Sequence, residues 1–169
     1  MLTQSKVDDV AIVHFNNLTE EGKRALRALL NYENEAVVIR YASDAEVPLD
    51  IAHRTFTALK QYLAVCAYMG GKRTPAKVID ECWHTFILHL KDYEEFCNRH
   101  LRGLMYHNPA IDNSGMDFYQ KTREGAEALC GPLDTEMWPI NHDAYARCIS
   151  TKDPTPAVFP EYIREKTYV

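Results

Sequence analysis

The chain has 169 residues, 46% of them hydrophobic and 25% charged, which is enough to bury a core without disulfide or metal staples. Its net charge of -5 argues against general nucleic-acid binding, which calls for a basic face, and the short Lys72-Arg73 pair reads as solvated surface. Five cysteines, an odd number without the framework of a small secreted protein, point to reduced thiols and a cytoplasmic location.

In chain order, MLTQSKVDDVAIVHF lacks the basic region and long apolar core of a signal peptide, and no apolar run reaches the length of a membrane span. Residues 7–15 are β-branched and apolar and read as a strand or as the first turns of a helix. Thr19 caps a helix with Glu20 and Glu21 in its first turn and an apolar stripe of Ala25, Leu26, Leu29 and Leu30. Asn31 and Asn34 bracket a break. Residues 36–39 are again β-rich, so a small N-terminal β-hairpin with residues 10–15 is one expectation within an otherwise helical chain. Pro48 opens a helix whose Ile51, Ala52, Phe56, Leu59, Leu63, Cys66 and Met69 form a buried face, and Gly70-Gly71 stops it.

Residues 75–109 concentrate potential ligands among apolar residues: four of the seven histidines (His84, His89, His100, His107), Cys82, Cys97 and Asp80. Thr74-Pro75 reads as a helix start, and Val78, Cys82, Phe86 and Leu90 recur at helical spacing beside Ile79, Trp83 and Ile87. Asp80 and His84, four apart, share a helix face, where a carboxylate can orient an imidazole. A second helical segment carries Tyr93, Phe96, Cys97 and His100 and ends near Gly103, with His107-Asn108-Pro109 in the following turn. Asp80, His84, Cys97, His100 and His107 thus offer more than enough donors for a tetrahedral zinc site. The spacing matches neither a paired CxxC nor an HExxH helix, and hydrogen-bonded core residues would look the same.

Beyond this stretch, 111–115 reads as a loop, and Met116, Phe118, Tyr119, Thr122, Ala126 and Leu129 predict an amphipathic helix closed near Gly131-Pro132. Met137-Trp138-Pro139 reads as an apolar anchor. A short helix from Asn141 or His142 would turn Tyr145, Cys148 and Ile149 inward. Pro154, Pro156 and Pro160 predict an extended tail whose Phe159, Tyr162 and Tyr168 could pack across the domain. The expected fold is mainly α: a single compact helical domain over 1–151, and an extended Pro- and aromatic-containing C-terminal tail over 152–169.

Ile79-Asp80-Glu81-Cys82-Trp83-His84, Ile87-Leu88, Tyr93-Glu94-Glu95-Phe96-Cys97, Gly103 and His107-Asn108-Pro109 carry a likeness to a known pattern. That order resembles the glycine-rich domain-containing protein-like family, a helical module found in bacteria, phages and plants, over roughly residues 48–139. Thr122, Gly131-Pro132 and Trp138-Pro139 look similar to a later feature of the same family. Tyr106 stands where that family often has the first of two adjacent histidines, His89 falls near a position where it commonly has threonine, and its glycine-rich tail is absent. The resemblance implies a module and no reaction.

Two functions of different class follow. The first is a non-enzymatic protein-interaction or regulatory module, such as a phage-encoded accessory protein, with a protein partner held by the aromatic tail. No nucleotide loop or nucleophile elbow is present to point elsewhere. The second is a metal-binding domain or metal-dependent enzyme with Asp80, His84, Cys97 and His107 as ligands, zinc being the expected ion. A Cys97 nucleophile with His84 or His107 as base is a third arrangement. Neither membrane nor nucleic acid is expected as a partner.

Overall fold

A computed structural model describes residues 11–109, 115–140, 148–149, 157–165 and 167–168. The described chain is helical, with only two-residue strand pairings beside the helices. After β1 (Ala11–Ile12), Thr19 caps α1 (Glu20–Leu30), its Oγ1 accepting from the Gly22 N–H at 3.1 Å. Asn34 caps α2 (Glu35–Asp44) in the same way, accepting from Val37 N–H at 3.1 Å. Residues 36–39 are therefore helical, and the expected hairpin with 10–15 does not form. An N-cap and an acidic first turn outweigh the β-branched residues there, since Val37 and Val38 bury as well on a helix face.

The central element is α3 (Leu49–Met69), 21 residues long and buried around most of its circumference from Phe56 onward. It packs against α1, α2, α4 (Lys77–Leu88) and α6 (Gly115–Cys130). Gly70 ends it at φ 66°, a conformation open to glycine, with its N–H on the Cys66 carbonyl at 3.1 Å. Two cations lie inside this frame. The Lys60 ammonium, desolvated so that its pKa is lowered, donates to the carbonyls of Leu30 and Tyr32 at 2.8 Å each and so closes the C-terminus of α1. Arg73 has no exposed surface, against the expectation of a solvated Lys72-Arg73 pair. Its Nε–H donates to the Gly70 carbonyl at 2.7 Å, and the Tyr62 hydroxyl donates to its own carbonyl at 3.1 Å.

α4 begins at Lys77 rather than at the Thr74-Pro75 signal. Thr74 is buried two residues before the N-cap position, Ala76, and its N–H donates to Thr122 Oγ1 of α6 at 3.3 Å. After α4 the chain turns at His89 into α5 (Leu90–His100), whose C-terminus passes Gly103 (φ 144°) into an irregular stretch ending at His107. β2 (Asn108–Pro109) pairs antiparallel with β3 (Cys148–Ile149), so those two residues are extended rather than helical. The rest of the helix expected there, 141–147, lies outside the described residues. Trp138, fully buried, donates to Gln61 Oε1 at 3.0 Å, and Arg54 reaches Asp134 at 2.7 Å.

Residues 157–165 of the C-terminal segment lie on the helices. The Val158 N–H meets the Ala67 carbonyl at 2.7 Å, the Thr19 N–H meets the Tyr162 carbonyl at 2.8 Å, and β4 (Thr167–Tyr168) pairs with β1. No helix among the described residues is long and apolar enough to cross a membrane.

Candidate metal centre

The sequence of α4 divides it into two faces. Ile79, Cys82, Trp83 and Phe86 are buried toward α3, while Asp80, His84 and Leu88, spaced four apart, run along the outer side. The stretch after α5 brings His107 back to the first of these. His107 Nε2 and Asp80 Oδ1 are 2.5 Å apart, with side-chain exposures of only 13% and 17%. An ionised Asp80 only accepts, so the proton of this bond sits on Nε2. His84 is 55% exposed; its Nε2 stands 3.8 Å from Asp80 Oδ2, beyond hydrogen-bond reach. The two imidazole centroids are 4.5 Å apart.

Asp80, His84 and His107 each offer one donor atom, all within 4.8 Å of one another. Donors about 2.1 Å from one tetrahedral ion stand about 3.4 Å apart, so His84 must swing inward and the Asp80–His107 pair must open slightly around a cation. The exposure of His84 permits the first movement, and the second exchanges a shared proton for the ion.

Of the four ligands expected from sequence, Asp80, His84 and His107 meet and Cys97 stays outside their grouping. Cys97 is wholly buried on the inner side of α5. Burial pushes its pKa up, which disfavours the thiolate that both coordination and nucleophilic attack require. His100 also stays apart, its ring packed on Tyr32 and Phe96 with centroids 6.0 and 5.1 Å away, and burial lowers its pKa. His89 Nδ1 lies 3.0 Å from the Thr85 carbonyl at the turn between the two helices. His53, for which sequence offers no partner, lies 3.3 Å from Glu35.

Sequence reasoning placed Trp83 and Tyr93 only on apolar faces, and missed their polar ends. Trp83 packs edge-on against His107 with centroids 4.6 Å apart, and its Nε1–H donates to Tyr93 Oη at 3.1 Å. The Tyr93 hydroxyl in turn donates to the Met105 carbonyl at 2.5 Å. The available signal was general: a buried Trp or Tyr seeks a partner for its polar atom.

A family model described as UCP032817-like matches residues 32–125, more than half the chain. The chain belongs to the UCP032817-like family. This corrects the resemblance to the glycine-rich domain-containing protein-like family drawn from residues 48–139, since the matching family is a different, uncharacterised one. The UCP032817-like match contains Asp80, His84, Cys97 and His107 and stops short of Gly131-Pro132 and Trp138-Pro139. Neither the curated proteins nor the solved structures contain a match to this chain.

Proposed function

We propose that this UCP032817-like protein is a divalent-metal-binding module whose ligands are Asp80, His84 and His107. The observation that carries the reading is the convergence of two imidazoles and a carboxylate, from one helix face and a separate loop, to within 4.8 Å. Two nitrogens and one oxygen suit zinc or ferrous iron, and soft metals that favour sulfur have no thiolate in the set. Three protein ligands leave room for water, and the open side is that of exposed His84. An ion held there would act as a Lewis acid on its water or on an oxygen-bearing substrate. Asp80 and His107, in contact before any ion enters, bring two of the three donors together.

Elemental mass spectrometry on protein purified without an affinity tag tests this directly. Near-stoichiometric metal, lost in both His84→Ala and His107→Ala, is the expected result. The cobalt adduct should show ligand-field bands without sulfur-to-metal charge transfer, because Cys97 is excluded. No uptake of zinc, iron or cobalt by the folded protein would remove the reading.

The second reading is a protein-interaction module. It is supported by Leu88, 77% exposed and one helical turn beyond His84, and by Leu90, 54% exposed on the far side of the His89 turn. If a partner docks there, Leu88→Ser with Leu90→Ser should abolish its retention from a native lysate and leave metal content unchanged. Retention by the double variant equal to that of the natural chain would dismiss it.

A further inference from the structure

The stretch from Leu101 to His107 has no regular secondary structure, so side chains must satisfy and hold its peptide groups. Met105, two residues before His107, is held at its carbonyl, which accepts the Tyr93 hydroxyl at 2.5 Å. Tyr93 is on α5 and buried. The Tyr93 oxygen also accepts the indole N–H of Trp83, whose ring makes a T-shaped contact with the His107 imidazole. Trp83 is on α4 between Asp80 and His84. One phenol therefore ties the loop that carries His107 to the helix that carries its carboxylate.

We infer that Tyr93 is a positioning residue of the Asp80–His84–His107 site: it clamps the Met105 peptide, and through it holds His107 Nε2 on Asp80. The inference rests on reading those three residues as the metal centre. Deleting the phenol hydroxyl would release the Met105 carbonyl and the Trp83 N–H together.

The test compares Tyr93→Phe with Tyr68→Phe. Tyr68 is also buried and donates to a backbone carbonyl, that of Gly22 at 3.2 Å, but joins α3 to α1 instead of reaching the loop. Two quantities are read: zinc affinity by chelator competition, and the imidazole 15N and 1H resonances of His107 in metal-free protein. Tyr93→Phe should weaken zinc binding about 10- to 100-fold, the range for partners that orient metal ligands. It should also shift or broaden the His107 signals. Tyr68→Phe should change neither quantity. If Tyr93→Phe leaves both readouts where Tyr68→Phe leaves them, the clamp is overturned. If the natural chain takes up no metal, the metal reading falls by itself. The His107 resonances then decide the clamp, with unchanged signals in Tyr93→Phe rejecting it. Should Tyr93→Phe fail to fold, the Tyr93 hydroxyl proton of the natural chain decides: slow exchange with water is expected, and exchange as fast as that of a free phenol rejects the clamp.

Discussion

Tyr68 and Tyr93 use the same bond, a buried phenol donating to a backbone carbonyl, in two regions that end differently. Around Tyr68 everything terminates in packing. Its ring lies 5.1 Å from Phe159, Phe159 stacks on Tyr162 at 5.2 Å, and Arg102 covers both tail rings while pairing with Glu161. Around Tyr93 the network leads outward, through Met105 and Trp83 to His107, Asp80 and the exposed His84. Packing accounts for each polar group in the first region. It does not account for an imidazole at the protein surface facing a carboxylate already engaged by another, and this difference marks the second region as the site.

The largest effect should come from the side chain that belongs to both the core and the site. Trp83→Ala removes a fully buried indole and should cost about 3–5 kcal/mol in denaturant unfolding. Trp83→Phe keeps a ring against His107 but deletes the N–H donor, so its cost should be nearer 1–2 kcal/mol, about that of a buried hydrogen bond. A loss below about 1 kcal/mol in Trp83→Ala would show that α4 is not seated on its indole face.

The pH response should engage buried acids outside both networks. Burial pushes the thiols of Cys82 and Cys130 and the hydroxyls of Tyr41 and Tyr119 up to about 12. Unfolded thiols ionise near about 8.5 and unfolded phenols near about 10. The folded state therefore retains protons that the unfolded chain sheds. The stabilising contribution is complete below those unfolded values and is lost as pH climbs toward about 12. Unfolding free energy should hold level through neutrality, decline above about pH 8.5 and decline faster above about 10. Cys82→Ala should flatten the first part of the decline, and an unchanged slope would exclude that thiol as a source.

Two helix glycines separate the tail seam from ordinary packing. A Cβ on Gly22 would stand 2.7 Å from Tyr162 Cβ and 3.1 Å from its carbonyl oxygen, atoms fixed close to the backbone. Gly22→Ala should therefore destabilise by about 1–3 kcal/mol, as overpacking does, despite the better helix propensity of alanine. At Gly125 the nearest atom is Met69 Sδ at 2.8 Å, on a flexible thioether that can move away. Gly125→Ala should stay within about 1 kcal/mol of neutral, because the gain in propensity offsets the contact. Equal urea midpoints for the two variants would mean that the tail does not press on α1.

Local chemistry made much of the helical frame legible in the sequence. Thr19 and Gly70 act as the cap and stop their residue types predict, and the apolar spacing of α3 and α4 carries through to burial. The failures lie where one local signal overrules another or where a partner is distant in sequence. The Asn34 cap carries residues 36–39 into a helix, Arg73 is buried with its Nε–H on the nearby Gly70 carbonyl, and Thr74, two residues before the N-cap position, meets Thr122 48 residues away. Asp80 and His84 were readable as a pair because four residues place them on one helix face. His107 could only be a candidate, since its 27-residue separation from Asp80 is closed by the path of a loop. Cys97 was included by chemical type and set apart by orientation, because its helix face points to the core.

The two histidines on Asp80 supply the finest test, because one is fixed and the other is not. His107→Ala removes a 2.5 Å bond between groups mostly shielded from water and a ring packed on Trp83, and should cost about 1–3 kcal/mol. His84 touches the carboxylate only at 3.8 Å and is more than half exposed. His84→Ala should therefore change stability by no more than about 0.5 kcal/mol, the range of ordinary surface substitutions. The metal reading nevertheless gives His84 a third of the ligand set, so the same variant should lose its zinc. Stability unchanged and metal lost would separate function from architecture at one residue. Stability lost by more than about 1 kcal/mol would instead place His84 in the fold and leave its exposure unexplained. Circular dichroism melts of the two variants, run with and without chelator, distinguish these outcomes: chelator should lower the melting temperature of the natural chain and leave that of His84→Ala where it was.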